Sequence, residues 1–92
     1  QIFPDMKRRA KEQWMGIFLD LQIKAENAEI STKALDLRGL MAAARTVRQG
    51  LSPALALQMG IVNKCFDMFE KEIVRDVVAT RIPEDWTRED VF

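Results

Sequence analysis

The sequence predicts an all-α fold, a four-helix bundle, on three observations. Apolar residues recur at three- and four-residue spacing along most of the chain. Helix start and stop signals fall between the periodic stretches: Asp36, Gly50, Ser52-Pro53, Asp67 and Pro83. The one segment that could be extended, Glu29 to Thr32, has no partner strand in sight. The 92 residues make one small helical domain, with 83–92 as a polar tail. Hydrophobic residues are 48% and charged residues 30%, the balance of a chain that buries a core and unlike that of a disordered one.

The first helix is expected over about Asp5 to Glu26, after Ile2-Phe3-Pro4. Met6, Ala10, Trp14, Ile17, Phe18, Leu21 and Ala25 mark its inner stripe. Met15, Leu19 and Ile23 add a second apolar row. That row implies either several covering helices or a face that meets another domain or subunit. Lys7, Arg8, Arg9 and Lys11 open the helix as a basic cluster, read as a solvated face beside Glu12 or as a contact for phosphate or an acidic partner. Asn27 is a helix stop, and Ser31 or Thr32 can cap a short turn through Leu35.

The second helix begins at the cap Asp36 and ends at Gly50, where glycine can take the left-handed conformation. Leu37, Leu40, Met41, Ala44, Val47 and Leu51 form its buried stripe. Arg38 lies off that stripe in the first turn, with Arg45 on the same face. An arginine there opposes the helix dipole, which favours anions at the N-terminus. It is either solvated or matched to a carboxylate or a phosphate.

Ser52-Pro53 opens the third helix, running to about Phe66, apolar on most sides and expected to be central. Leu55, Met59, Val62 and Phe66 make one of its rows. Gly60 implies the close approach of a neighbouring helix, since glycine costs about 1 kcal/mol in helix propensity relative to alanine. Asp67 and Glu70 suggest a capping box for the fourth helix, which reaches about Thr80 with Phe69, Ile73, Val74, Val77 and Val78 inward. Trp86 in the tail either folds back on the bundle or starts a further segment. The expected core is Trp14, Phe18, Leu40, Val47, Leu55, Met59, Val62 and Val77.

Composition excludes several functions. Lys and Arg number 14 and Asp and Glu 14, so the basic excess of a general nucleic-acid or membrane-surface binder is missing. The single cysteine, Cys65, forms no internal disulfide, and with no histidine there is no convincing zinc site or histidine acid–base chemistry. A reduced, cytoplasmic setting is expected. No G-x-x-x-x-G-K-[ST] loop is present to cradle phosphates. The chain begins at Gln1 without an initiator methionine, as expected for a piece of a longer protein or for a processed or engineered chain.

In order along the chain stand Arg38-Gly39-Leu40, Ala43-Ala44-Arg45, Gly50-Leu51-Ser52-Pro53, Ala56-Leu57 and Ile61-Val62-Asn63-Lys64. From about Ile30 to Val78 this set resembles the C-terminal lid of MoxR-type AAA+ ATPases, including the CbbQ/NorQ branch. The resemblance implies that Arg38 is the second-sensor residue, catalytic and nucleotide-contacting, reaching the terminal phosphate of bound ATP. The family has Ser-Thr before that arginine where this chain has Asp36-Leu37. Ser31-Thr32-Lys33 lies upstream, and Lys33 is the alternative sensor if the register slides by more than a helical turn.

The resemblance further implies ATP and magnesium as cofactors of the full-length protein, held upstream, and none for this domain alone, which should not hydrolyse ATP. Implied partners are the upstream AAA+ large domain, neighbouring subunits of a hexameric, chaperone-like ring, and a protein with a von Willebrand factor A domain. No metal ligand set, membrane contact or nucleic-acid contact is expected. Two rivals stand beside it. One is a helical interaction module with no nucleotide role. The other is a helix-turn-helix DNA binder turning at Gly50-Leu51-Ser52, whose reading helix would offer only Gln58.

Overall fold

The computed structural model describes residues 4–30, 37–65 and 67–92 and the backbone alone at Leu37. Among them the chain is all-helical. The elements are α1 (Arg8–Glu26), α2 (Leu37–Arg48), α3 (Pro53–Gly60), a 3-10 turn at Val62–Lys64, α4 (Met68–Arg81) and a short α5 (Arg88–Val91). The caps proposed for Asp36, Ser31 and Thr32, the extended alternative at Glu29 to Thr32 beyond residue 30, the candidate Lys33, and the core placements of Leu37 and Phe66 lie outside what is described.

α1 starts at Arg8 rather than Asp5, and Asn27 closes it, its N–H donating to the Ile23 carbonyl and the Ala28 N–H to the Ala25 carbonyl, both at 3.0 Å. Ala28 then takes φ 60°, a left-handed turn away from the helix. The inner stripe is inside as expected: Ala10 and Ile17 are sealed, Leu21 and Trp14 are buried, and Phe18 and Ala25 pack against them. The Trp14 indole N–H donates to the Leu40 carbonyl at 3.0 Å, tying α1 to α2 from within the core. Burial of a tryptophan needs such a partner for its one polar atom.

Gly50 ends the α2 segment with φ 118°, and its N–H donates to the Val47 carbonyl at 2.8 Å. Ser52 precedes Pro53 at the start of α3 without a side-chain cap bond. Gly60 meets α2 at its backbone: a Cβ there would lie 2.8 Å from the Gly39 carbonyl oxygen and 3.2 Å from the Ala43 Cβ. The glycine is the reason the two helices close.

The third helix differs from expectation. It stops at Gly60 and gives way to the 3-10 turn, instead of running to Phe66. A short helix can turn only one face inward, and Pro53, Ala56 and Leu57 fill that face. Leu55 and Met59 therefore point out, 45% and 55% exposed, and do not belong to the core. Phe69 is likewise out, 79% exposed, because it sits in the first turn of α4 ahead of the stretch that packs. Val74, Val77 and Val78 are the buried face of α4, and the Asp67 carboxylate accepts the Phe69 N–H at 2.7 Å.

The tail folds back. Thr87 and Asp90 form a capping box that starts α5, Val91 is sealed in the core, and the Lys7 N–H donates to the Val91 carbonyl at 2.7 Å. The Arg9 guanidinium lies 5.0 Å from the Trp86 ring centroid, and that of Arg48 lies 5.0 Å from the Phe92 ring centroid. Arg48 also pairs with Asp5, and its carbonyl accepts from Arg88 Nε at 2.6 Å. The C-terminus thus clasps the start of α1 to the end of α2.

Candidate functional site

Arg38 is the second residue of α2 and is exposed. The side chain points out because its neighbours Gly39 and Leu40 are the buried ones, Gly39 lying against Gly60 of α3. The guanidinium makes no ion pair or hydrogen bond among the described residues. The first turn of α2 holds no acidic residue, so nothing in that turn offsets the charge of Arg38 against the positive end of the helix. A fixed base beneath it comes from the α2–α3 contact, where there is no room for a side chain on Gly60.

Arg45 is exposed as well, but it lies about 10 Å further along at 1.5 Å per residue. It falls in the last turn of α2 with Arg48, where positive charge is favourable on the dipole's own account. Of the two arginines, only Arg38 stands where the helix itself does not want a cation. The residues leading into α2, Lys33 among them, lie outside the description.

Other chemistry-bearing groups are engaged in structure. Asp20 and Arg81 form a two-pronged pair between α1 and α4, at 2.9 and 3.1 Å. The Arg81 hydrogen bond holds the Asp20 carboxyl below its ordinary value, against the opposing pull of burial. The same bond raises Arg81. The Cys65 thiol is half-buried and is pushed up mainly by burial and then by Glu70. It sits 3.6 Å from the Ile61 carbonyl, so it stays protonated and acts as a packing residue. Among the described residues no cluster of His, Cys, Asp and Glu is arranged to hold a metal ion, and no helix is long and apolar enough to cross a membrane.

The α2–turn–α3 unit has the outline of a DNA reader without its chemistry. α3 is Pro-Ala-Leu-Ala-Leu-Gln-Met-Gly, and its outward side chains are Leu55, Gln58 and Met59. That helix carries no cation, and Gln58 is its one outward polar side chain. Sequence reasoning missed the Thr87–Asp90 box, whose signal was the threonine followed three residues later by an acid. No protein-family model, no curated protein and no solved structure matches this chain.

Proposed function

We propose that this chain is the lid subdomain of a MoxR-type AAA+ ATPase, with Arg38 as the residue that senses the terminal phosphate of ATP. The observation that carries the proposal is an exposed arginine, unpaired among the described residues, at the start of α2 on a rigid glycine-closed helix pair. The ordered resemblance from Arg38-Gly39-Leu40 through Gly50-Leu51-Ser52-Pro53 supports the same assignment. Arg38 supplies positive charge to a developing phosphate anion without disturbing the core, because its helix is held from the opposite side.

One arginine on a helix start cannot retain a nucleotide. ATP and magnesium are therefore bound by the upstream large domain, and Arg38 only completes the site. Loss of the terminal phosphate releases that contact and lets the lid swing against the large domain, a motion passed to the neighbouring subunit of a hexameric ring in the cytoplasm. A client complex or a partner with a von Willebrand factor A domain reads that motion.

The test is ATP turnover by the full-length protein. Arg38→Ala lowers the rate at least about tenfold while leaving most nucleotide binding in place, since the contact acts on charge that develops in the transition state. An unchanged rate contradicts the assignment and leaves the helical interaction module as the better account. Micromolar ATP binding by these residues alone, seen by calorimetry, would place the main phosphate site here and refute the division of labour.

A further inference from the structure

One stripe of α1 is left uncovered by the rest of the described fold. Arg8, Glu12, Met15, Leu19, Gln22 and Glu26 are all exposed, with Met15 at 59% and Leu19 at 49%. They follow one another at alternating steps of four and three residues. That is the 3.5-residue period at which two helices share a continuous seam. The apolar pair occupies the middle of the stripe, and opposite charges occupy its ends. Ile23, 55% exposed, widens the apolar middle on one flank.

We propose that a second copy of this chain docks on the stripe, with the two α1 helices antiparallel about a two-fold axis level with Ile17. The axis passes behind a sealed residue, so the exposed positions pair symmetrically around it. Met15 of each copy meets Leu19 of the other, Glu12 meets Gln22, and Arg8 meets Glu26, each pair occurring twice. Parallel packing would set Arg8 against Arg8 and Glu26 against Glu26. The charge order along the stripe therefore selects the antiparallel arrangement, and the opposed helix dipoles favour it further.

The ends of the stripe are available for this exchange. Glu26 makes no ion pair among the described residues. Among the described residues Arg8 pairs with Glu12 alone, at 3.8 Å, with side chains 93% and 67% exposed. A pair that open to solvent gains little, so trading it for an intermolecular one costs little. A shallow groove lined by Lys11, Met15, Gly16, Leu19 and Arg81 runs beside the seam and can take the rim of the partner helix. A one-helix contact is small, in the class of weak and transient interfaces below about 1,200 Å².

Sedimentation equilibrium of the 92-residue chain, from about 10 µM to about 1 mM, tests this without any nucleotide, and so independently of the ATPase assignment. The expected result is a mass that climbs toward the dimer with concentration. Leu19→Glu should stay monomeric throughout. Arg8→Glu and Glu26→Arg should each weaken association about tenfold, and the two together should restore it. All three sites are exposed, so circular dichroism should report the same helix content in every variant. A wild-type chain that stays monomeric overturns the proposal and assigns the stripe to a different protein or to a segment beyond these residues. Association that survives Leu19→Glu overturns it too, as does a double charge swap that fails to restore pairing.

Discussion

α2 meets α3 through a glycine, with the Gly39 carbonyl where the Gly60 side chain would be. α1 meets α4 through an ion pair, the Arg81 guanidinium lying over Gly16 and forking onto Asp20. In the first case the glycine lets two backbones close, and no shift of a side chain can make room for a larger residue. In the second the glycine makes a seat for a flexible side chain, which can move aside. The first contact is a rigid mount, and it holds the helix that presents Arg38. The second is an adjustable seam with shallow grooves on either side and the uncovered α1 stripe next to it. The backbone-to-backbone contact carries the helix with Arg38, and the side-chain contact lies beside the exposed Met15 and Leu19 of α1.

The comparison breaks most readily in the shared core. Leu57 is fully buried on the inner face of α3. Leu57→Ala should cost about 2–5 kcal/mol in chemical denaturation, the range for emptying a core leucine. A smaller effect follows from closing the gap at the glycine contact. Gly60→Ala sets a methyl group against a backbone oxygen and should destabilise by about 1–3 kcal/mol despite the better helix former. If Gly60→Ala is stabilising, the rigid mount does not exist.

The adjustable seam answers to pH. The Asp20 carboxyl is held below its ordinary value in the fold, whereas an unfolded aspartate titrates near about 3.9. A group depressed by folding contributes stability above its unfolded pKa and loses it as pH falls through the folded one. Asp20→Asn should therefore be less stable than wild type at neutral pH, and the gap should narrow in acid below about pH 4. A gap constant across that range would mean that the Arg81 bond does not stabilise the fold. The smallest effect belongs to the outer row of α3. Leu55→Ala and Met59→Ala should each change stability by less than about 0.5 kcal/mol, as for surface positions.

Leu55 and Met59 also mark the limit of what could be read from sequence. Periodicity identifies a helix and picks its inner face when one side is polar, as in α2, where Leu40, Ala44 and Val47 are buried and Arg38 and Arg45 are not. In α3 nearly every residue is apolar, so period alone could not choose the face, and the packing of Ala56 and Leu57 decided it. Phe69 failed for a related reason: its spacing matched the α4 stripe, but the helix had not yet reached the bundle. Stops were legible because they rest on local backbone chemistry, as at Asn27 and Gly50. The return of the tail was open in the sequence because Trp86 and Phe92 need partners far away in the chain, Arg9 and Arg48. The outward placement of Arg38 was legible. The phosphate role proposed for it rests on the resemblance, since an arginine's target lies outside the residues that hold it.

The register of that role can be measured directly. ATP turnover by the full-length protein should fall at least about tenfold in Arg38→Ala, and clearly less in Arg45→Ala, further from the helix start. It should hold near the wild-type rate in Lys33→Ala. If Lys33→Ala is the slow variant and Arg38→Ala is not, the sensor lies upstream of α2; if all three turn over normally, the chain is not a nucleotide-sensing lid.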